Sequence, residues 1–179
     1  GISSPIMYNG LHDYQKKRIA GFMSEKPSYH VQQSIIAIGS GGLTGKERNE
    51  ATQTHYKFLP IATSDFIFAY TVERLGFWGA LGLILCYAFL VMHLLSLNFL
   101  LKEDYFARVI TSGISLLIFF YMSINIAMTI GLAPVVGVPL PFYSYGGSSF
   151  ITFFALFGIL ENLLAFRFDP TYRSIKYSL

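Results

Sequence analysis

The sequence of 179 residues has few charged residues, one cysteine and little net charge. Charged residues make up 13% of the chain, about half of the roughly 25% that soluble globular proteins carry. The single cysteine, Cys86, excludes an internal disulfide framework and a zinc site built on several cysteines. A net charge of +3 is too small to indicate nucleic-acid binding. With 53% hydrophobic and 17% aromatic residues, the composition excludes a disordered chain and indicates a membrane protein.

Two long stretches, residues 75–101 and 109–160, contain no Asp, Glu, Lys or Arg. About 20 apolar residues are enough for a helix to cross the roughly 30 Å hydrocarbon core of a bilayer. The first stretch therefore predicts one transmembrane helix over residues 76–101. The second stretch is long enough for two more helices, which we predict over residues 109–132 and 148–166.

The segment between the last two predicted helices, residues 133–147, is apolar and rich in proline and glycine. Proline removes backbone donors, so a regular helix is not expected there. Irregular backbone at membrane depth needs hydrogen-bond partners from protein or from a water-filled cavity. We therefore expect this outer segment to fold back against the helices and form the wall of a cavity. Hydroxyl groups would line that wall from Tyr143, Ser144, Tyr145, Ser148 and Ser149.

Basic residues in the short loops predict the orientation of the helices, because short cytoplasmic loops carry an excess of Lys and Arg. The 102–108 loop and the 167–179 tail contain basic residues, whereas residues 133–147 contain none. We therefore expect the first two segments in the cytoplasm. Residues 1–75, a large extracytoplasmic loop, and residues 133–147 would lie together on the outer face.

Thr63, Ser64 and Asp65 precede an apolar run that ends at Gly76, a pattern typical of a helix start. We expect Thr63 or Ser64 to cap that helix. Asp65 would then lie in the first turn, where a carboxylate complements the helix dipole. The alternative interpretation is that Asp65 is a general base at the boundary between water and lipid.

The glycine-rich stretch from Gly39 to Lys46 is similar to a phosphate-binding loop, but its spacing is wrong and Glu47 replaces the required Ser or Thr. A flexible turn is the favoured interpretation. Anion binding by successive backbone N–H groups beside Lys46 is the alternative.

Five ionisable or polar residues lie in or beside the predicted helices. Glu73 and Arg74 are predicted to form an interfacial ion pair. Glu161 is either a functional acid within the membrane or a side chain that reaches towards the cytoplasmic surface. His93 and Asn125 are interpreted as hydrogen-bonded packing residues. The sequence shows no spacing typical of a metal site with several close ligands.

Several motifs, taken in order, resemble the SEDS family of bacterial proteins, which act in shape, elongation, division and sporulation. They are Tyr29-His-Val-Gln-Gln-Ser34, Ala37-Ile-Gly-Ser-Gly-Gly42, Phe58-Leu-Pro60, Asp65-Phe-Ile-Phe68, Glu73 and Gly131 to Ser149. Residues around Asp13 and Thr52 are closer to the rod-shape branch of the family than to its division branch. The resemblance implies an all-α integral membrane protein. Together with a start that lacks an initiator methionine, it implies the C-terminal portion of a longer polytopic bundle.

The resemblance also implies a function. Family members polymerise lipid II in the bacterial inner membrane, on its periplasmic face, and act with a class B penicillin-binding protein that crosslinks the glycan. A role in elongation and rod-shape maintenance is expected. Asp65 matches the aspartate that the family needs for polymerisation. No cofactor is implied, and a divalent cation is left as an open alternative.

Supporting roles are expected for residues around Asp65. Charged side chains would hold the pyrophosphate of the substrate, because ionic hydrogen bonds are strong where water is partly excluded; they are Lys46, Arg48 and Lys57. Polar side chains would contact sugar or peptide, namely Gln33, Ser40, Gln53 and Ser144.

The sequence departs from the family pattern at Glu47, Ala51, Ile61, Thr63 and Arg74, which removes an acid and a histidine from the neighbourhood of Asp65. Because the N-terminal helices of the family are absent, we expect this portion alone to be inactive. Two other classes of function stay open. One is a transporter of the lipid-linked precursor, dependent on Glu161, and the other is a non-catalytic scaffold for the transpeptidase.

Overall fold

The computed structural model describes residues 29–46, 65–101 and 104–167. Its elements are the helices α1 (Tyr29–Ser40), α2 (Ile67–Leu100), α3 (Tyr105–Thr129) and α4 (Gly147–Arg167). Three of them, α2, α3 and α4, are long and apolar enough to cross a membrane. The described ranges contain no β-strand. The predicted all-α class with three transmembrane helices is therefore confirmed.

Helix α2 is broken at Gly76, where φ is 67° and ψ is −161°. This conformation is essentially restricted to glycine. A straight helix would separate Ala80 from Val72 by about 12 Å and from Phe68 by about 18 Å. The three side chains nevertheless belong to one buried cluster. The segment 67–75 therefore folds back along the remainder of α2, and Gly76 lies at the tip of this helical hairpin.

The tip of the hairpin is held by main-chain hydrogen bonds from the glycine-rich turn, residues 41–46. Because the break interrupts the helix, the N–H groups of Phe77 and Trp78 lack their usual intrahelical acceptors. They donate to the carbonyl oxygens of Gly42 and Leu43, at 2.9 and 3.4 Å. The turn therefore satisfies backbone groups that could not be left unpaired in an apolar environment.

The same turn fits the hairpin so closely that only glycine is accommodated at several positions. A β-carbon at Gly41 or Gly45 would overlap main-chain atoms of residues 72–75 in α2. A β-carbon at Gly76 would overlap main-chain atoms of the glycine-rich turn. The N–H of Gly45 donates to Gly41 at 2.8 Å, and that of Lys46 donates to the carbonyl of Glu73 at 2.9 Å. The prediction of a turn is confirmed. The alternative of anion binding is wrong for these two N–H groups, because both have acceptors within the fold.

Helix α3 packs against the long segment of α2 through polar contacts. Asn98 donates from its side-chain nitrogen to the hydroxyl of Ser112 at 2.9 Å. The hydroxyl of Ser115 donates to the carbonyl of Val91 at 3.2 Å. Higher residue numbers in α2 thus lie opposite lower numbers in α3, so the two helices are antiparallel.

The helix bounds differ from the predicted spans mainly at α2 and α3. Helix α2 joins two predicted elements across Gly76: the helix expected after Thr63 to Asp65, which begins at Ile67, and the span predicted over residues 76–101, which ends at Leu100. Helix α3 begins at Tyr105 rather than near residue 109, because the carboxylate of Asp104 caps it by accepting from Ala107 N–H at 3.3 Å. Helix α4 begins at Gly147, next to the predicted start.

Replacing Gly76 by alanine is expected to destabilise the full-length protein by at least about 2 kcal/mol, because the backbone conformation there excludes a side chain. The added methyl group would also overlap Leu43 and Gly45. Thermal unfolding in detergent measures the effect. The matched control is Gly82→Ala, since Gly82 is helical and a β-carbon there meets nothing within 4 Å. Equal melting temperatures for the two variants would contradict the hairpin.

Candidate functional site

The proline- and glycine-rich segment between α3 and α4 folds back into the bundle, and this prediction is confirmed. The hydroxyl of Tyr87, in α2, donates to the carbonyl of Pro141. Leu140 is buried in the main apolar cluster of the described chain. The cavity wall with its five hydroxyl groups stays a prediction. We call residues 131–146 the outer re-entrant segment.

Phe142 anchors the outer re-entrant segment against α4. Its ring lies 5.1–5.5 Å, centroid to centroid, from the rings of Phe153, Phe154 and Phe157. Its φ of 62° is unfavourable for a bulky residue and costs roughly 1–2 kcal/mol. Packing of four aromatic rings offsets this cost, because such pairs contribute about 0.5–1.5 kcal/mol each beyond the burial of their surface.

Ser144 closes the turn that contains Phe142. Its hydroxyl oxygen accepts from the N–H of Leu140 at 2.7 Å, and its own N–H donates to the carbonyl of Leu140 at 3.0 Å. The residue is 7% exposed. These contacts give Ser144 a role in the shape of the turn, and the substrate contact predicted for it stays a prediction.

Asp65 lies immediately before the first segment of α2. The N-cap is Phe66, and no side chain caps this end of the helix. The prediction that Asp65 lies in the first helical turn is therefore wrong, while Thr63 and Ser64 lie outside the described residues. One carboxylate oxygen of Asp65 instead faces Gly137, where a β-carbon would lie 3.2 Å from it. The side chain is partly exposed.

Asn125 joins Asp65 to the outer re-entrant segment. Its side-chain nitrogen donates to the carbonyl of Asp65 at 2.9 Å and to the carbonyl of Val138 at 2.7 Å. The residue has no exposed surface. The interpretation of Asn125 as a hydrogen-bonded packing residue is thus confirmed, and its partners include the candidate catalytic residue itself.

The depth of Asp65 follows from the pairing of α2 with α3. Ser115 contacts Val91, and the two helices rise equally per residue, so Asn125 lies at the level of about residue 81 in α2. That level is below the hairpin tip at Gly76. Because Asn125 contacts the main chain of Asp65, this aspartate lies within the bundle. Residues 65–75, expected in a polar outer loop, thus form a second re-entrant segment.

Helix α1 packs beside the second re-entrant segment. The hydroxyl of Ser34 donates to the carbonyl of Thr129 at 2.6 Å, and Ala37 is buried against Phe66 and Ala69. The ring of His30 lies 6.4 Å from that of Phe66, next to Asp65. His30 was not among the candidate site residues predicted from the sequence. Its position within the Tyr29–Ser34 family motif could have indicated it.

Two predicted polar contacts lie on α1. Gln33 is partly buried and lies between His30 and Ala37 along the helix, near the end that approaches Asp65. The hydroxyl of Ser40 donates to the carbonyl of Ala37 at 3.0 Å. Ser40 lies at the opposite end of α1 from His30, so the structure brings Gln33 closer than Ser40 to the Asp65 end.

Of the basic residues predicted to bind pyrophosphate, only Lys46 lies among the described residues, and it is not next to Asp65. The main chain of Lys46 contacts Glu73, which is about 12 Å from Asp65 along the helix axis. Arg74 donates from its guanidinium to the carbonyl of Lys46 at 3.3 Å. The other predicted substrate contacts lie outside the described residues, namely Arg48, Gln53 and Lys57.

The remaining ionisable candidates are separate from Asp65. Glu73 is fully buried, and its ion pair with Arg74 stays a prediction. Glu161 is exposed on α4 beside the buried Leu160. His93 is exposed, and its ring stacks on that of Phe89 with 6.1 Å between the centroids. The hydrogen bond predicted for its side chain stays a prediction.

Thr71 and Tyr143 join the two re-entrant segments a second time. Their hydroxyl oxygens are 3.0 Å apart. Since the hydroxyl of Thr71 donates to the carbonyl of Ile67 at 2.8 Å, Tyr143 is the donor to Thr71. The phenolic oxygen of Tyr143 then keeps lone pairs for a further donor.

Across residues 29–46, 65–101 and 104–167, no group of three or more His, Cys, Asp or Glu could hold a metal ion.

Comparison with known proteins agrees with this architecture. The profile of the FTSW_RODA_SPOVE family, described as "Cell cycle protein", matches residues 1–168. Peptidoglycan glycosyltransferase MrdB of Helicobacter pylori is 65% identical over 97% of this chain and 45% of the relative. MrdB of Escherichia coli K12 is 43% identical over 89% of this chain and 44% of the relative.

A solved structure has the same fold. It comes from work on the structural coordination of polymerization and crosslinking by a peptidoglycan synthase complex. The TM-score is 0.68 at 25% sequence identity, over 89% of this chain and 44% of the solved chain. The present chain thus spans less than half the length of these relatives.

The fold and site define a class of protein, an α-helical membrane protein in which two re-entrant segments bring an aspartate into the bundle. Within that class, the chain belongs to the FtsW/RodA/SpoVE family of cell cycle proteins, which is the SEDS family expected from its motifs.

Replacing Tyr87 by phenylalanine is expected to destabilise the full-length protein by about 1–3 kcal/mol, because the buried carbonyl of Pro141 loses its donor. Thermal unfolding in detergent provides the measurement. Tyr105→Phe is the control, since Tyr105 is 78% exposed. If Tyr87→Phe melted together with the control, the fold-back of the outer segment would not depend on this bond.

Proposed function

We propose that this chain carries the catalytic carboxylate of a peptidoglycan glycosyltransferase that polymerises lipid II during cell elongation. The observation that supports the proposal most directly is the placement of Asp65. Its carboxylate is partly exposed, faces Gly137 and belongs to a segment fixed by Asn125. The names of the relatives and the branch-specific motifs support the reaction and its place in elongation.

The proposed chemistry requires one base. The 4-hydroxyl oxygen of the acceptor sugar attacks the anomeric carbon of the donor, and the bond from that carbon to the pyrophosphate oxygen breaks. The hydroxyl proton passes to the carboxylate of Asp65. Since the lipid pyrophosphate is a good leaving group, inversion in one step needs no covalent enzyme intermediate.

The depth of Asp65 suits a substrate that is anchored in lipid. A carboxylate below the hairpin tip can meet a sugar whose polyprenyl chain stays in the outer leaflet. Gly137 leaves room beside the carboxylate because it has no side chain. Preorganised groups of this kind are more effective where water is partly excluded.

Other residues would complete the site. Gln33, which lies at the Asp65 end of α1, is proposed to contact sugar or peptide. Lys46, Arg48 and Lys57 are proposed to bind pyrophosphate, with Ser40 and Gln53 in secondary polar contacts. Lys46 would have to extend its side chain along the hairpin, since its main chain lies at Glu73. A divalent cation at the pyrophosphate stays an open alternative.

The proposed setting is the bacterial inner membrane, with Asp65 reached from the periplasmic side and the 102–108 loop and the tail in the cytoplasm. The proposed partner is a class B penicillin-binding protein that crosslinks the new glycan. The likeness to a chain from a complex of polymerization and crosslinking supports that partner.

Asp65→Asn in the full-length protein, reconstituted in vesicles with its transpeptidase and lipid II, is expected to reduce polymer formation at least about 100-fold, because the general base is lost. Gel analysis of labelled glycan measures the product. Glu161→Gln is the matched control and is expected to retain normal polymerisation, since Glu161 is exposed on α4 away from Asp65.

The same pair of variants separates the alternative functions. Polymerisation that is intact in Asp65→Asn would refute the role of this aspartate and favour a scaffold. Translocation of lipid II that persists in Asp65→Asn but fails in Glu161→Gln would favour a transporter instead.

Gly137→Ala is expected to lower polymerisation about 10- to 100-fold, because the methyl group would lie 3.2 Å from the carboxylate of Asp65 and displace it. The φ of 72° at Gly137 adds strain. Initial rates with lipid II measure the change. Gly158→Ala is the control, since a β-carbon at Gly158 meets nothing within 4 Å. Equal rates for the two variants would show that the space at Gly137 beside the carboxylate is not needed for polymerisation.

A further inference from the structure

Asn125 makes two hydrogen bonds to segments that are far apart in sequence. Its side-chain nitrogen donates to the carbonyl of Asp65, 60 residues away, and to that of Val138, 13 residues away. Both acceptors are main-chain atoms next to the candidate reaction centre, since Val138 follows Gly137. One side chain thus fixes the two segments between which the carboxylate lies.

The chemistry of the two bonds specifies an amide. Carbonyl oxygens only accept, so both hydrogens must come from the amide nitrogen, and a flipped amide would satisfy neither partner. The oxygen of Asn125 is buried and has no hydrogen-bond partner in the described part of the chain. An unsatisfied buried oxygen costs free energy. A purely apolar packing role would avoid that cost by using leucine or alanine.

Asn125 is itself held in place from α1. The hydroxyl of Thr129 donates to the carbonyls of Asn125 and Ile126. The hydroxyl of Ser34 in turn donates to the carbonyl of Thr129 at 2.6 Å. All three polar residues, Ser34, Asn125 and Thr129, have no exposed surface. This buried chain of hydrogen bonds gives α3 a fixed relation to α1 and to both re-entrant segments.

We infer that Asn125 is a positioning residue, which sets the distance between the carboxylate of Asp65 and the Gly137–Val138 main chain and so the geometry of proton acceptance. This inference rests on the proposed function of Asp65. Asn125 does not contact the substrate in this role. It acts through the main chain of the residue that does.

Asn98 provides a matched control within the same fold. It lies in α2, donates from its side-chain nitrogen to Ser112 at 2.9 Å and also has a buried oxygen without a partner in the described ranges. It shares with Asn125 the residue type, a donating amide nitrogen and a buried amide oxygen, although it is partly exposed and donates to one side chain only. It lies far along α2 from the Asp65 segment, so its loss affects packing alone.

The test uses the full-length protein with its transpeptidase and lipid II, in four variants: Asn125→Ala, Asn125→Asp, Asn98→Ala and Asp65→Asn. Asn125→Asp keeps the size of the side chain and removes both amide hydrogens. We expect kcat to fall about 10- to 100-fold in both Asn125 variants, because displacement of a reacting group by about 1 Å costs on that order. KM for lipid II should stay within about 3-fold, and Asn98→Ala should keep kcat within about 2-fold.

Thermal unfolding of the same samples separates positioning from folding. Asn125→Ala should melt at the lower temperature, since it loses two hydrogen bonds to main-chain carbonyls and Asn98→Ala loses one hydrogen bond. At an assay temperature well below both melting temperatures, only Asn125→Ala should lose kcat. Equal kcat in Asn125→Ala and Asn98→Ala, with Asp65→Asn inactive, would overturn the positioning role alone. A fully active Asp65→Asn would overturn the proposed function, and the positioning role with it.

Discussion

The constraint on which this structure depends is the hydrogen bonding of irregular backbone within an apolar bundle. Two segments fold back between the long helices: residues 67–75, which are helical up to the break at Gly76, and the irregular residues 131–146. At the break and in the irregular segment, helical hydrogen bonds cannot satisfy every main-chain group. The protein satisfies them with a few polar contacts. The turn over residues 41–46 bonds to the break in α2, Tyr87 donates to Pro141, and Asn125 donates to Asp65 and Val138.

These contacts also bring the site together. Asp65 and Gly137 are far apart in sequence, and their approach depends on the two re-entrant segments reaching the same depth. The hairpin at Gly76 carries Asp65 below its own tip and into the bundle, while the aromatic packing of Phe142 on α4 holds the other segment. The carboxylate thereby lies next to a helix start whose main chain is fixed by Asn125, as the proposed catalytic role requires.

Much of the architecture could be predicted from the sequence, for a physical reason. Long runs without charge, such as residues 75–101, leave few alternatives to transmembrane helices. The fold-back of the proline-rich segment could be predicted as well, because an apolar segment that cannot be helical needs protein around it. The end of one helix at Gly76 could be predicted too, but the reversal of direction there could not, since it depends on tertiary contacts with the turn over residues 41–46. Asp65 was identified by motif, but its contact with Gly137 and the proximity of His30 are tertiary.

The turn that holds the hairpin tip uses main-chain atoms on both sides of the contact. Gly42 and Leu43 accept, and Phe77 and Trp78 donate, through backbone groups that every residue type except proline possesses. The contact therefore does not depend on the identity of the outward side chains at this tip, including the largely exposed Leu43 and Trp78. Substitution of either side chain would leave the four backbone groups of the tip, and the architecture that they hold, unchanged.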